Sequence, residues 1–153
     1  MNSAHNAPHP VPQRVLDDLH SRLSAYRRAV LPAGFGWDRG VDGDYLADLL
    51  GYWAHSYDWR VHEQEILALP WTLTGAGHDT PIRLIHVPSK DPDAVAVVLL
   101  HGWPDSVLRF QKVVPLLSDL HVVVPALPGY PFAAPVAEVV PGLVEIEVAV
   151  PRS

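Results

Sequence analysis

The chain has 153 residues, 48% of them hydrophobic and 18% charged, the length and apolar content of one ordinary folded domain, which excludes a disordered chain. Lys+Arg 11 against Asp+Glu 17 give a formal charge of -6 with no basic cluster, which argues against nucleic acid or an anionic membrane surface as a partner. Cysteine is absent, which excludes disulfides and thiolate metal sites; neither a signal peptide nor an apolar run long enough to span a membrane is visible, and a cytoplasmic location is expected.

Residues 1–10 are polar, Pro-bearing and aperiodic, and read as a disordered tail. From Pro12 the apolar residues Val15, Leu19, Leu23, Tyr26 and Val30 recur at steps of four and three, which predicts one helix stopped by Pro32-Ala33-Gly34. After a Gly-rich connection, Asp42 or Asp44 is placed to cap a second helix with Tyr45, Leu46, Leu49, Leu50 and Trp53 on its buried face. A third helix is expected from Asp58 to Leu69, with Trp59, His62, Ile66 and Leu69 on one side and Pro70 as its stop. The period then changes. Trp71 to Thr74 and Ile82 to Val87 are β-rich segments separated by a Gly-containing loop, a hairpin signal. The apolar run from Val95 to Leu100 predicts a strand buried on both faces, as in a parallel sheet. Val107, Leu108, Phe110, Val113 and Val114 predict a helix bent or restarted at Pro115, and Val122 to Val124 a second buried strand. Residues 133–153 alternate Val with Glu and Ala, a strand-like pattern.

The run His101-Gly102-Trp103-Pro104 stands at the carboxyl end of a predicted strand, where chemistry gathers in parallel sheets. It is followed by Asp105-Ser106 at a helix opening and, one strand later, by Pro125-Ala126-Leu127-Pro128-Gly129-Tyr130. Upstream stand Tyr52-Trp53, Tyr57-Asp58-Trp59-Arg60, Glu63, Leu69-Pro70 and Ile85-His86-Val87. Taken together over Val11 to Phe132, these words resemble the N-terminal part of the epoxide hydrolases of the microsomal and juvenile-hormone type, within the α/β-hydrolase fold.

The resemblance implies an α/β fold in which N-terminal helices (11–70) precede the first half of an α/β-hydrolase sheet (71–132), an antiparallel hairpin followed by a parallel strand-helix-strand crossover, with 133–153 atypical. It implies an oxyanion motif at His101, Gly102, Trp103 and Pro104: the Trp103 N–H is the donor, Gly102 allows the tight turn, and the Trp103–Pro104 bond is cis with the N–H facing a cavity. In the family an Asp on a later strand forms an ester with the opened epoxide. That nucleophile, the His base, its acidic partner and the cap tyrosines have no counterparts in these 153 residues. No catalytic residue is therefore assigned, and a C-terminally truncated fragment, inactive alone, is expected. Two alternatives stand beside it: one part of a split hydrolase completed by another chain, and a non-catalytic module docking through an open sheet edge. The expected partner is a small epoxide, with self-association through the exposed sheet edge and no cofactor.

Gly36-Trp37-Asp38-Arg39-Gly40 has the Gly-x-Asp-x-Gly form of a nucleophile elbow, but it lies between two predicted helices with no strand before it and reads as a solvated loop. No metal is expected: His62 lacks the second His of a zinc helix, and His5 and His9 lie in the tail. The Trp residues at 37, 53, 59 and 71 read as core rather than as a ligand pocket.

Overall fold

The computed structural model describes residues 6–28, 34, 36–74 and 81–135. Backbone contacts divide it into two units, the described residues of 9–64 in one and those of 6–8 and 65–135 in the other. Val30, the stop at Pro32-Ala33, most of the tail, the hairpin loop at 75–80 and the Val-Glu alternation after 135 lie outside the described residues.

In the first unit Pro12, which has no N–H to leave unpaired, precedes α1 (Gln13–Ser24) and accepts the Val15 amide at 2.9 Å. The helix ends at Ser24, so Tyr26 lies beyond it, contrary to the periodicity. The last turn tightens as the Tyr26 N–H bonds the Leu23 carbonyl at 3.2 Å. No residue of α1 is buried, so little packing extends it past its intrinsic end. Asp42 takes the capping role for α2 (Gly43–His55): its carboxylate accepts the Asp44 and Tyr45 amides at 3.0 Å each. The apolar face expected to be buried is not. Tyr45, Leu49 and Trp53 are 50%, 43% and 39% exposed, while Leu46 and Leu50 are half-buried. Within this unit α1 packs against α2, and one amphipathic helix covers only part of the stripe. The third helix, α3 (Trp59–Leu67), starts after Asp58, whose carboxylate accepts the Arg60 amide at 2.9 Å, and stops two residues before the predicted end.

In the second unit β1 (Trp71–Thr74) and β2 (Ile82–Val87) pair antiparallel with the predicted bounds. They join β3 (Ala96–Val98) and β4 (His121–Pro125) in a four-stranded sheet of order β1-β2-β4-β3, in which β2 and β4 are antiparallel and β3 and β4 parallel. Trp71, Leu84, Ile85, Val107 and Val122 to Val124 form the core. Two expectations fail here. The run at 95–100 is not buried on both faces: its strand spans three residues, and Val95, Val98 and Leu100 are 71%, 40% and 60% exposed. Its place explains this, for among the described residues β3 is the edge strand and pairs with β4 alone. The crossover is not an α-helix but two 3-10 segments, Val107–Phe110 and Val114–Leu116. Pro115 cannot donate, the β-branched Val107, Val113 and Val114 disfavour an α-helical turn, and the amides of Arg109, Gln111, Val113, Leu116 and Leu117 reach three residues back instead of four.

Candidate functional site

The site is the loop leaving β3. The strand is held to β4 by the Leu99 N–H on the Val123 carbonyl at 2.9 Å, which fixes where the chain departs. His101 follows and is buried, with 5% of its surface exposed. Its Nε2 accepts the Leu127 N–H at 3.2 Å, and the Tyr130 ring meets it edge-on, with centroids 4.9 Å apart. An Nε2 that accepts carries no proton, so the neutral ring is protonated at Nδ1, a buried atom with no partner among the described residues. Beyond it the Gly102 carbonyl accepts the Asp105 N–H at 2.8 Å, closing a turn over Trp103 and Pro104, whose peptide bond is cis. Among the described residues no acceptor faces the Trp103 N–H. Asp105 accepts the Ser106 amide at 2.8 Å and pairs with Arg109, and these bonds, the backbone one foremost, hold its carboxyl below the usual range. His101, Gly102, Trp103, Asp105 and Arg109 line a cavity of about 310 Å³.

The fold therefore brings the four expected residues to one turn beside a cavity. It does not bear out the reason given for Gly102. A Cβ there meets nothing within 4 Å and its φ is not in the left-handed region, which belongs instead to Gly129 at 82°. Sequence reasoning missed what holds His101, namely the Leu127 amide and the Tyr130 ring. The signal lay in Pro128-Gly129-Tyr130, a turn word placed after β4, with nothing in the sequence to say what the turn would touch. It also missed Arg83, a charge within an apolar strand and only 9% exposed.

Gly36 to Gly40 forms a turn before α2, with Gly36 and Gly40 at φ 48° and 133°, and Trp37 rests on Tyr45 at 5.0 Å. The tryptophans divide. Trp71 is core at 1% exposure, whereas Trp37 is 60% exposed and Trp53 and Trp59 line a cavity of about 500 Å³ within the helical unit. Among the described residues no three His, Asp or Glu gather as a metal site, and no helix is long and apolar enough to cross a membrane.

A family model described as the epoxide hydrolase N terminus matches residues 5–110. The chain belongs to the epoxide hydrolase family. It is 37% identical over 137 residues to a Stigmatella aurantiaca (strain DW4/3-1) protein assigned to the epoxide hydrolases, covering 80% of this chain and 30% of that protein. It is 30% identical to Epoxide hydrolase 1 of Oryctolagus cuniculus, covering 77% of this chain and 29% of that one. The structure superposes on Aspergillus niger epoxide hydrolase with a TM-score of 0.72 at 28% identity, over 85% of this chain and 37% of the other. Against juvenile hormone epoxide hydrolase from Bombyx mori the TM-score is 0.74 at 27% identity, over 88% and 38%. The chain thus spans about three tenths of the length of its epoxide hydrolase relatives in sequence, and its helices followed by a mixed sheet have the architecture of their N-terminal part.

Proposed function

We propose that this N-terminal region of an epoxide hydrolase contributes the oxyanion donor for adding water to a small epoxide, and that the 153 residues alone do not turn over. The observation that supports this reading is the Trp103 N–H, without an acceptor among the described residues, on a closed turn beside a cavity of about 310 Å³. In the reaction a carboxylate oxygen attacks an epoxide carbon and the C–O bond breaks, leaving an ester and a hydroxyl once the alkoxide is protonated. Water, deprotonated by a His, then adds to the ester carbonyl, whose oxygen becomes the oxyanion. A preplaced amide stabilises that charge at no cost in reorganisation, and one such donor is worth about 10²–10³ in rate. The tetrahedral species collapses to a diol and the free carboxylate. The nucleophile, the base and its acidic partner lie outside these 153 residues. The setting is the cytoplasm.

The chain alone is expected to hydrolyse styrene oxide no faster than buffer, and turnover is expected when the C-terminal two thirds of a related epoxide hydrolase is co-expressed with it. Turnover by the chain alone that is lost in Asp38→Asn and kept in Asp58→Asn would overturn this reading and make the Gly36–Gly40 loop the nucleophile.

The edge of β3, open among the described residues, supports a second reading, a module that pairs through that edge, including with its own copies. The His121 N–H bonds the Val95 carbonyl at 3.0 Å and the Leu99 N–H the Val123 carbonyl at 2.9 Å. Alternation along the strand then turns the backbone groups of Ala96, Val98 and Leu100 outward, where they form a template for another strand. Sedimentation is expected to show concentration-dependent association that Val98→Lys reduces. A strictly monomeric parent chain would remove this reading.

A further inference from the structure

The Arg83 side chain, on β2, is buried, yet no carboxylate lies within ion-pair distance of it among the described residues. Its donors go to main-chain carbonyls from two distant segments: Nε to Asn6 at 2.8 Å, and Nη1 to Phe132 at 2.9 Å and Ala133 at 3.0 Å. A guanidinium is a rigid fork, suited to fixing two carbonyls at once. It is also costly to bury, and desolvation lowers its pKa from the ordinary value. Such a cost in an apolar strand calls for an account of what the clamp holds.

It holds the turn that holds His101. Within residues 127–133 the Tyr130 N–H bonds the Leu127 carbonyl at 3.0 Å and the Ala133 N–H the Tyr130 carbonyl at 3.2 Å. Phe132, at φ 69°, is in the left-handed region, which is unfavourable for a non-glycine residue and persists only where the surroundings impose it. Arg83 bonds the carbonyl of that residue, and the Phe132 ring lies 6.2 Å from Trp71. The other end of the same turn supplies both contacts to the imidazole, the Leu127 N–H to Nε2 and the Tyr130 ring in a T-shaped contact.

We infer that Arg83 is a positioning residue for the oxyanion turn, acting through the Leu127–Ala133 turn to fix the His101 imidazole with its proton on Nδ1. Its catalytic consequence rests on the function proposed above, but the arrangement itself does not, and it is read on the isolated chain.

The test is nitrogen NMR of the chain with ¹⁵N-labelled histidine. In the parent protein at neutral pH the His101 ring, assigned with His101→Gln, is expected to show a protonated Nδ1 and a bare Nε2; a protonated Nε2 overturns the inference. In Arg83→Lys, which replaces the planar fork and its separate Nε and Nη1 donors with one compact ammonium, the protonated-Nδ1 signature is expected to give way to a mixture of tautomers while the β1–β2 amides stay protected. Adding Phe132→Gly, which lets the turn adopt its conformation unaided, is expected to restore it. Unchanged His101 signals in Arg83→Lys would show that Arg83 contributes stability alone, and overturn the inference. Should Arg83→Lys not fold, Arg83→Gln, which keeps a donor and drops the buried charge, is judged by the same signals. Because no substrate is used, failure of the proposed hydrolysis and failure of this clamp are distinguished.

Discussion

The helical unit and the sheet unit are similarly rich in apolar residues, and they spend them differently. In the sheet unit Trp71, Val107, Val122 and Val124 are each at most 1% exposed, and the strands carry a continuous core. Among the described residues of 9–64 the one buried side chain is a carboxylate, Glu63, at 6% exposure, while Tyr45, Leu49, Tyr52 and Trp53 stand in the open. Glu63 Oε1 accepts the Val11 amide at 2.6 Å and the Trp59 indole at 3.0 Å, and its Oε2 accepts from Arg60 at 2.5 Å. Arg60 in turn reaches Gln13 at 2.9 Å. One unit is held by burial, the other by a polar clasp with apolar surface left over. The lesson is that the Tyr57-Asp58-Trp59-Arg60 word and Glu63 serve architecture: they tie the start of α1 to α3.

The sharpest way to break this comparison is to cut the sheet core. Trp71→Ala removes a fully buried ring and the indole N–H bonded to the Ile66 carbonyl at 2.8 Å. It is expected to cost about 3–5 kcal/mol, much of the stability of a domain worth about 5–15 kcal/mol in all. Urea unfolding followed by circular dichroism reads the loss as a lower midpoint. A midpoint unchanged from the parent would mean that the sheet unit does not depend on this core.

The next effect concerns the clasp and its pH dependence. Burial alone would push the Glu63 carboxyl up, but the bonds from the Val11 amide, Arg60 and the Trp59 indole outweigh it and bring its pKa below the ordinary carboxylate value. A carboxyl whose folded pKa is depressed contributes stability in full above its unfolded pKa, and that contribution is lost as pH falls through the folded pKa. Glu63→Gln removes a charged acceptor from three donors and is expected to cost about 1.5–3 kcal/mol at neutral pH. The difference between variant and parent should shrink on acidification below the usual carboxylate range. A difference independent of pH would show that the loss is one of packing and not of charge.

These same residues show how far the sequence could be read. The hairpin strands Trp71–Thr74 and Ile82–Val87 were legible to the residue because alternation and a turn signal act locally. The turn at His101 to Pro104 was legible through family words, and the cis Trp103–Pro104 bond lies where they placed it. What was not legible depends on partners. The Val95–Leu100 run reads as doubly buried by composition, yet burial is set by neighbours, and β3 has one among the described residues. Periodicity in α1 and α2 marked an apolar stripe correctly and could not say how much of it would be covered. Glu63, Arg83 and the Leu127 amide owe their roles to contacts across 52, 49 and 26 positions of chain, and no local pattern records these.

The smallest expected effect sharpens the comparison from the other side. Leu49 and Tyr52, 43% and 55% exposed, line the cavity of about 500 Å³ in the helical unit together with Trp53 and Trp59. If that surface contributes little to the fold of the chain by itself, replacing both residues with Gln should shift stability by no more than about 0.5 kcal/mol each, the ordinary range for surface positions. The same double variant should bind an environment-sensitive apolar dye more weakly than the parent, since exposed contiguous apolar surface is what such a dye reports. The two measurements together carry the argument. A small shift in urea midpoint with a clear loss of dye binding means that these side chains are solvent-facing and not part of a core. A cost of several kcal/mol would place them in a core after all, and the division between a unit held by burial and a unit held by the Glu63 clasp would fall.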